Sequence, residues 1–448
     1  MSNDRDEYDA SIDLAHRNRE FTPGIVAPGM VLYDRHGNPV GCSNNPLQVG
    51  PREAFGGLAV ASPRSLFDSK LDVEGEAGVS WFEDISATGA TFTHNSSAST
   101  ATLSIGNSGT TPDGSRSIRR SRVTPYIPGH GKRVFLTFCF EEATAAANVQ
   151  KNVGMFDDSD GTILRQTSAG VTLLIRDSTS GTVVETNAVD QADWDDPFDG
   201  TGPSGITADW SKRQILVIDL QWLGVGAVAV ALDIDGVIYS AHVFKHANMG
   251  SGRPYMATAV LPVSYEIIAS GAAISSKQDL TQICCSVQSF GTESALVQDD
   301  IASNRTTSRL AATTGTPVVS MRANSARVPL EPAEVDLLNG ESSKSLYWEL
   351  VFNGALTGAS FSAASGDTHH DIDVSATAIT GGKPIASGYV AAAGGGQAAT
   401  TLSAVLASRV RLGIGLDSVG DTLSLVIYNL GTGTAACYGT IQCASYHG

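Results

Sequence analysis

The stretch QWLGVGAVAVALDIDGVIYSAHVF, residues 221–244, decides which fold this sequence can adopt. It is the least polar part of the chain, yet it contains two aspartates and a pair of glycines. Asp235-Gly236 is a preferred two-residue turn of a β-hairpin, and pairing the chain about it places Ile234 opposite Val237. The stretch is therefore predicted to form two antiparallel strands joined by a tight turn.

The predicted register gives this hairpin two different faces. Leu232 opposes Tyr239 and Val230 opposes Ala241, so one face is uniformly apolar. The other face carries small or mildly polar residues such as Ala229. A hairpin in the middle of a sandwich sheet, covered on one face and partly covered on the other, has this pattern.

Two other interpretations of the stretch fail on spacing and length. A dinucleotide-binding loop needs G-x-G-x-x-G between a strand and a helix, whereas Gly224 and Gly226 are followed by Ala229 and a second strand. The uncharged run Leu223–Leu232 is far shorter than the roughly 20 residues that cross a bilayer. We expect neither a nucleotide cofactor nor insertion into a membrane.

Composition supports an all-β protein of low charge density. Of 448 residues, 47 are glycine, 42% are hydrophobic and 17% are charged, which suits short strands and tight turns better than helical bundles. The formal net charge of −17 argues against nucleic-acid binding, which needs clustered Lys and Arg. The chain starts with acidic residues where a secretory signal has a basic start, so we expect no export peptide.

Strand-like segments bounded by turn signals recur along most of the chain. Those between residues 75 and 330 have no long helical patterns between them, which predicts an antiparallel lectin-like or jelly-roll β-sandwich. Pro and acidic residues around 329–335 predict a boundary, so residues 331–448 are expected to form a second, small β domain. Within that domain, the Gly-rich segment 387–408 is expected to end as a short helix.

Residues 1–60 differ from the rest because Pro and Gly interrupt them too often for a core of their own. They are predicted to be an extended arm that lies on another surface, with a short helix over residues 6–20 and a small hairpin over residues 30–41. The arm is a candidate attachment element for the autonomous body, residues 75–448. Its apolar side chains are the candidate contacts: Phe21, Ile25, Val26, Met30 and Leu32.

Two acidic clusters could hold a cation or could stabilise turns. They lie in FDDSDGTIL, which starts at residue 156, and in QADWDDPFDGTG, which starts at residue 191. Neither matches the calcium-loop spacing with its closing Glu, and Asp is common in turns for conformational reasons. We therefore favour solvated turns over structural cation sites.

No residue pattern indicates a catalytic centre. His369 and His370 are adjacent, and neighbouring strand residues point to opposite faces, so they are not expected to share one metal. G-x-S-x-G, H-E-x-x-H and phosphate-binding-loop motifs are absent from the sequence. Cys284 and Cys285 lie in an apolar segment and are expected to be buried free thiols. We expect no cofactor, no metal and no enzymatic activity.

RSIRRSR, residues 116–122, concentrates positive charge in an otherwise acidic protein. Two interpretations stay open at this point. The segment is either an exposed strand face or a salt-bridging contact with an acidic neighbouring subunit. The candidate assembly contacts in it are Arg116, Arg119, Arg120 and Arg122.

Seven segments, in one order along the chain, resemble a family of virion structural proteins of tailed bacteriophages, often found in marine phages. The resemblance also extends to PGIVAPGMV in the arm and to ASGYV near residue 389. The sequence departs from the family pattern after WLGVG, where AVAVAL is wholly apolar. The segments are LFDSK (66–70), VGMFDDSDG (153–161), DGTGPSGI (199–206), DWSKRQILVIDLQWLGVG (209–226), DGVIYSAHVFKHAN (235–248), PYMATAVLPVSYEI (254–267) and QICCSV (282–287).

The resemblance implies a non-enzymatic structural component of a phage particle, assembled in the host bacterial cytoplasm and anchored to other virion proteins by its N-terminal arm. A tail, fibre or baseplate-associated protein that forms a homo-oligomer, with a trimer favoured, is the leading expectation. A module that binds host-surface glycan is the first alternative, and a capsid decoration or head-fibre protein is another. A polysaccharide-degrading enzyme would need a carboxylate pair at a fixed separation, and nothing in the sequence selects one.

Overall fold

In the computed structural model of the 448-residue chain, the regular secondary structure of the described residues is almost entirely β-strand. Every strand pairing in its described part is antiparallel, and the helical content of that part is the short 3-10 segment Gln191–Asp193. The prediction of an all-β antiparallel sandwich is confirmed. The structure describes residues 15–22, 25–33, 39–40, 63–72, 80–85, 89–106, 110–185, 187–249, 252–291, 297–305, 308–341, 343–364, 369–392, 398–403 and 410–446.

The chain divides into two compact units, Met1–Val60 and Ala61–Gly448. In the first unit, three strands form an antiparallel sheet in the order β1-β2-β3: β1 (Ala15–Thr22), β2 (Ile25–Tyr33) and β3 (Pro39–Val40).

The β2–β3 pairing places Leu32 opposite Val40, so the small hairpin predicted in the arm is confirmed. The predicted helix over residues 6–20 is wrong where the structure describes it, since Ala15–Thr22 is a strand. The sequence of Ala15–Thr22 has no apolar residues at helical spacing, and pairing with β2 decides its conformation.

The second unit begins with a sandwich of two sheets. One sheet has the order β13-β12-β11-β10-β17-β8-β5, and the other has the order β16-β15-β14-β9-β18-β7-β6, with β4 also paired to β18. Their bounds are β4 (Arg64–Ser69), β5 (Trp81–Ile85), β6 (Thr91–Asn95), β7 (Thr100–Ile105), β8 (Arg116–Ser121), β9 (Gly131–Cys139), β10 (Val149–Phe156), β11 (Gly161–Thr167), β12 (Gly170–Arg176), β13 (Val189–Asp190), β14 (Gln214–Leu220), β15 (Val228–Ile234), β16 (Val237–Phe244), β17 (Val263–Ala269) and β18 (Gln278–Phe290).

Alternation along each strand builds the core between these two sheets. On β9, Val134, Leu136 and Phe138 are fully buried and belong to the core cluster, while Arg133 and Thr137 on the opposite face are half-buried. Burying each large apolar side chain contributes roughly 1.5–3 kcal/mol, which makes the inward positions the main source of stability. This first sandwich therefore has one continuous hydrophobic core.

The hairpin predicted from residues 221–244 is present as β15 and β16. Asp235 and Gly236 have φ angles of 53° and 83°, as a two-residue turn of this kind requires. Ile234 pairs with Val237 as predicted. Beyond Ala231 a β-bulge shifts the register by one residue. The predicted pairs between the turn and Ala231, such as Leu232 with Tyr239, are therefore also present, whereas Val230 pairs with His242 and not with Ala241 as predicted.

The prediction that this hairpin lies in the middle of a sheet is also wrong. β16 forms the edge of its sheet, and Val237 and Ile238 at its start are 50% and 45% exposed. An apolar hairpin tip resembles a buried strand in sequence, and the bulge is a feature common in edge strands. Only the strand order distinguishes the two positions.

A second sandwich follows within the same unit. One sheet has the order β19-β31-β22-β29 with β20 also paired to β31, another has the order β25-β26-β21-β30-β23-β28, and β24 pairs with β27. Their bounds are β19 (Val297–Ser303), β20 (Arg309–Ala311), β21 (Thr316–Ala323), β22 (Leu330–Asn339), β23 (Leu346–Phe352), β24 (Ala355–Thr357), β25 (Ser362–Ala363), β26 (His370–Asp373), β27 (Ala378–Thr380), β28 (Lys383–Val390), β29 (Ala398–Ser403), β30 (Thr422–Asn429) and β31 (Ala435–Tyr446).

This second sandwich has its own core cluster and starts earlier than predicted. β19, β20 and β21 belong to its sheets, so the predicted start at residue 331 falls inside it. Pro332, which suggested a boundary, lies at a register shift within β22. Within the segment 387–408, which was expected to end as a short helix, Ala398–Ser403 pairs with β22 as strand β29, and residues 404–408 lie outside the described residues. At the other end, β4 joins the first sandwich ahead of its predicted start at residue 75.

Candidate functional site

Three tyrosines form a row across one outer face of the second sandwich. Tyr389 on β28 pairs in register with Tyr347 on β23, and Tyr347 pairs in register with Tyr428 on β30. Cross-strand neighbours on one face of a sheet lie within side-chain contact. We call Tyr389, Tyr347 and Tyr428 the tyrosine row.

The rings of the tyrosine row follow one another closely but are not stacked. The ring centroids of Tyr347 and Tyr389 are 5.0 Å apart, with 44° between the ring planes. Those of Tyr347 and Tyr428 are 5.5 Å apart, with 42° between the planes. Tyr389 is 73% exposed, which is more than any other large apolar or aromatic side chain in the described part of the chain. The row thus offers aromatic surface to solvent at its edge-strand end.

Glu349 links two of these tyrosines through its carboxylate. The Tyr347 hydroxyl donates to Glu349 Oε1 at 2.9 Å, and the Tyr428 hydroxyl donates to Oε2 at 3.0 Å. Partial burial, the hydrogen bond to Glu349 and the negative charge of Glu349 raise the pKa of Tyr428. The Tyr428 phenol therefore keeps its proton, and hydrogen bonds from the two phenols hold both carboxylate oxygens in place.

The inward residues of the same strands fix the direction of the tyrosine row. Leu346, Trp348 and Leu350 alternate with Tyr347 and Glu349 on β23, and all three are buried in the second core cluster. Because a strand directs successive side chains to opposite faces, burial of these three residues turns the tyrosine and the glutamate outward.

A glycine makes room for the Tyr428 ring at the far end of the row. Gly315 has a φ of 67°, and a Cβ atom at this position would lie 2.6 Å from Tyr428 Cε1. A side chain here would be strained by the backbone conformation and would also push the ring away. The position of Tyr428 over Glu349 therefore depends on Gly315.

Sequence reasoning did not identify the tyrosine row. A signal exists in LYWELVF, residues 346–352, because Tyr347 and Glu349 occupy the positions that alternate with buried apolar residues. Nothing in the sequence pairs them with Tyr389 and Tyr428, since that needs the strand order and the register of β28, β23 and β30.

The arginines of β8, which we predicted as an exposed face or a contact for another subunit, are mostly buried inside the chain. Arg119 is 2% exposed, donates to Gln282 Oε1 at 3.1 Å and lies 4.5 Å above the Trp81 ring. Arg120 donates to Asp158 Oδ1 at 2.9 Å. Both interpretations are wrong for these residues because their charges are satisfied by carboxylates and rings of the same molecule.

Arg122 joins the two sandwiches. It forms an ion pair with Asp421, the residue before β30, and both side chains are almost fully buried. Its guanidinium lies 4.6 Å from the Phe82 ring of the first sandwich and 4.8 Å from the Phe352 ring of the second. This arginine therefore has a structural partner on each side of the junction.

Arg116 remains the most accessible residue of the cluster, with 24% of its side chain exposed. It contacts Asp84, Asp158 and Glu266 at 3.6, 3.3 and 3.5 Å. Burial, which lowers the pKa of Arg116, is outweighed by these three carboxylates, and the net effect raises its pKa. Its charge is also satisfied within the chain.

Two cavities lie at the junction of the sandwiches. Their volumes are about 700 Å³ and 300 Å³, and both are lined by Phe82, Gly415 and Leu416. Two of the carboxylates that line the larger one form ion pairs: Glu83 pairs with Arg119 at 3.2 Å, and Asp421 pairs with Arg122. The junction is thus dominated by ion pairs that hold the chain together.

The two acidic clusters stabilise turns and connect loops. Asp157 accepts two backbone N–H groups at 2.7 Å, from Ser159 and Asp160, and Asp199 accepts from Thr201. Asp160 is fully buried and accepts from Ser178 and from the backbone of Ala257, so the prediction of solvated turns is wrong for it. Asp196 is likewise buried.

His370 is a buried structural residue. Its Nδ1 lies 2.9 Å from Asp300 Oδ1, and its Nε2 lies 3.2 Å from the Ile301 carbonyl oxygen. The adjacent His369 contributes its backbone N–H to the same Asp300 oxygen at 3.3 Å. Within the described residues, no group of three or more His, Cys, Asp or Glu side chains could hold a metal ion.

The remaining sequence predictions concern the cysteines and the arm. Cys285 is buried and not part of a disulfide, as predicted, but Cys284 is exposed because β18 has a register shift between Gln282 and Cys285. The side chains of the five candidate arm contacts lie outside what the structure describes; their backbones belong to β1 for Phe21 and to β2 for Ile25, Val26, Met30 and Leu32. No helix in the described ranges is both long enough and apolar enough to span a membrane.

Comparison with known proteins gives similarity at the level of solved structures. No protein-family model matches the chain, and no curated protein matches it. The endo-1,3-beta-glucanase from Streptomyces sioyaensis is 13% identical and covers 52% of this chain and 98% of its own, with a TM-score of 0.33.

Two phage proteins are similar to the same extent. The carbohydrate esterase from Shiga toxin-encoding bacteriophage phi24B is 10% identical and covers 51% of this chain and 100% of its own, with a TM-score of 0.31. The CBM2 module of the evolved Dit of Lactobacillus casei BL23 phage J-1 is 7% identical and covers 52% of this chain and 98% of its own, with a TM-score of 0.32. Likeness at these identities and TM-scores transfers no activity to this chain.

Proposed function

We propose that this protein binds carbohydrate through the tyrosine row of its second sandwich. The observation that carries the proposal is the in-register row itself: three tyrosines lie on adjacent strands, one of them is 73% exposed, and the other two share the carboxylate of Glu349. Contiguous exposed apolar surface on a folded protein often marks a binding site, so such a row favours a binding surface.

The chemistry of the row suits a sugar better than a purely apolar ligand. A pyranose has a flat face of C–H groups that packs on an aromatic ring, and a rim of hydroxyls that need hydrogen-bond partners. Tyrosine supplies the ring with little loss of side-chain entropy, and Glu349 supplies fixed acceptors beside it.

Substitution of the exposed tyrosine tests this proposal. Tyr389→Ala should weaken binding to a responsive glycan by at least about tenfold, as expected for a central aromatic contact. Because Tyr389 is exposed, the melting temperature should stay unchanged. Tyr389→Phe, which keeps the ring, should retain most of the affinity.

Tyr438→Ala provides the matched control, because Tyr438 is a half-buried tyrosine on β31, in the other sheet of the same sandwich. It should bind glycan as the wild type does. Loss of binding in Tyr438→Ala and not in Tyr389→Ala would move the site to the opposite sheet and contradict the proposal.

We propose further that the protein is a non-enzymatic structural component of a phage particle, anchored by its N-terminal unit. The support is the ordered resemblance of seven sequence segments to phage virion proteins, together with the separation of Met1–Val60 as its own compact unit. A homotrimer in a tail, fibre or baseplate, or a capsid decoration, is the matching assembly.

Deletion of residues 1–60 tests the anchoring role. The shortened protein should keep its β-type circular dichroism spectrum and its melting temperature, while particles assembled with it should lack the protein. Incorporation of the shortened protein would place attachment elsewhere.

Two further measurements test the oligomeric state and the non-enzymatic role. Light scattering of the full chain should return a mass greater than the 46.5 kDa of one copy. Release of reducing ends from host polysaccharide would contradict a non-enzymatic role.

A further inference from the structure

We propose that the tyrosine row selects glycans by charge, binding neutral or amino sugars and discriminating against acidic sugars such as uronic acids. This inference rests on the proposed carbohydrate-binding function and specifies its ligand class. It follows from which hydrogen-bond donors the row has already used and from the charge at its centre.

Two phenol O–H groups of the row are already used in hydrogen bonds within the site. Tyr347 and Tyr428 each have one O–H, and each donates it to an oxygen of Glu349, at 2.9 and 3.0 Å. What these groups still present to a ligand is lone pairs on the phenol and carboxylate oxygens. A ligand at this end of the row must therefore donate, as a sugar hydroxyl or ammonium group does.

The charge at the centre of the row is negative. Glu349 hydrogen-bonds to neutral phenols, in contrast to Glu83, Glu185 and Glu331, which pair with arginines at 3.2, 2.6 and 2.5 Å. The ammonium of Lys344, just ahead of β23, donates to the Thr434 carbonyl oxygen. Within the described residues, the hydrogen bonds to Glu349 come from phenols and not from Lys or Arg, so a ligand carboxylate would meet a negative charge there.

The size of the discrimination follows from Coulomb's law. Two like charges about 4 Å apart in a water-like dielectric repel by an amount that corresponds to roughly a fivefold change in the dissociation constant. Salt screens such a repulsion over a distance of about 10 Å at 0.1 M. An acidic glycan should thus bind at least about fivefold more weakly than its neutral counterpart, and the gap should narrow as salt is added.

A glycan array tests both the inference and the function beneath it. The full-length protein is applied to oligosaccharides presented as matched sets of one linkage and length: the neutral sugar, its uronic acid and its amino sugar. We expect binding to neutral and amino members and a signal at least about fivefold weaker for the uronic acid member of the same set.

Glu349→Gln is the informative variant, because it removes the charge and adds an N–H donor while it keeps the size of the side chain. We expect the preference against uronic acids to disappear, with neutral sugars bound within about threefold of the wild type. If that variant does not fold, the salt dependence of the uronic acid affinity in the wild type gives the same information.

The possible failures are distinguishable. Equal or tighter binding of uronic acid members by the wild type, with binding still lost in Tyr389→Ala, would overturn the charge selectivity and leave the carbohydrate site intact. Unchanged discrimination in a folded Glu349→Gln variant would also overturn the selectivity. Absence of binding to every member, neutral, amino and acidic, would overturn the proposed function and this inference together.

Discussion

The arginine segment 116–122, which comprises β8 and the residue after it, and the tyrosine row are both sets of large polar or amphipathic side chains, yet the molecule uses them in opposite ways. Arg119 and Arg122 are nearly buried, and each is held by a carboxylate and an aromatic ring of the same chain. Tyr389 is 73% exposed, and its ring lies beside that of Tyr347. Groups satisfied inside the chain contribute to stability, whereas groups left facing solvent are available to a ligand.

We therefore predict that substitutions in the two regions affect different properties, stability in one and glycan binding in the other. Substitutions in the arginine cluster should lower the free energy of unfolding and leave glycan binding by the folded protein intact. Substitutions at the exposed end of the tyrosine row should do the reverse.

The largest expected effect is that of Arg122→Ala. The change would leave Asp421 buried without its ion-pair partner, although Asn353 Nδ2 and the Gly413 backbone would still donate to it at 2.7 and 2.9 Å. Removal of one member of a buried pair costs about 3 kcal/mol or more of unfolding free energy. Chemical denaturation should measure this loss.

Arg116→Ala is the matched control for that experiment, since Arg116 lies on the same segment but is 24% exposed. It should cost no more than about 1 kcal/mol. An equal cost for Arg116→Ala and Arg122→Ala would mean that burial does not distinguish the two arginines. Lost glycan binding in a folded Arg122→Ala variant would contradict the separation of the two regions.

Gly315→Ala should have an intermediate effect that touches both stability and binding. A φ of 67° costs an L-residue about 1–2 kcal/mol, and the added Cβ would also displace the Tyr428 ring from Glu349. We expect that loss in denaturation experiments together with weaker glycan binding.

Gly433→Ala separates these two causes. Gly433 has a similar φ of 73°, but a Cβ atom there would come no closer than 3.9 Å to its nearest neighbour, Lys344 Nζ. It should lose a similar amount of stability and keep its affinity. A parallel loss of affinity in both variants would show that backbone strain, and not the position of Tyr428, weakens binding.

The smallest expected effect is the acid dependence that Asp158 contributes. Burial, which raises the pKa of this carboxyl, is outweighed by Arg120 and Arg116, and the pKa is lowered from 3.8 to about 2. The folded value lies below the unfolded one, so the contribution is present above about pH 4 and is lost as the pH falls towards about 2.

Because the Asp158 side chain is 59% exposed, solvent screens the pair and the contribution should be below about 1 kcal/mol. Asp158→Asn should flatten the loss of stability between about pH 4 and pH 2, measured by denaturation at several pH values. An acid slope identical to that of the wild type would show that the ion pairs of Asp158 contribute nothing measurable.

The sequence carried the local part of this structure. Asp235-Gly236 specified a hairpin turn, and alternation of apolar residues on either side specified two strands and their first pairs. The bulge after Ala231 and the edge position of β16 were not predictable, because both depend on how the hairpin joins β14 and on which neighbours cover it.

The burial of the arginines could not be predicted from the sequence for a related reason. Arg122 and Asp421 are 299 positions apart in the chain, and no local pattern connects them. The three tyrosines are likewise brought together only by the pairing of β28, β23 and β30. Long-range strand order therefore supplies both the buried ion pairs and the candidate binding surface.

The most direct test of the carbohydrate site is an experimental structure of the full chain with a neutral oligosaccharide identified on the array. The account predicts a sugar ring packed on the Tyr389 and Tyr347 rings, with at least one sugar hydroxyl donating to Glu349. A sugar bound instead in the cavities between the two sandwiches, with the tyrosine row left empty, would contradict it.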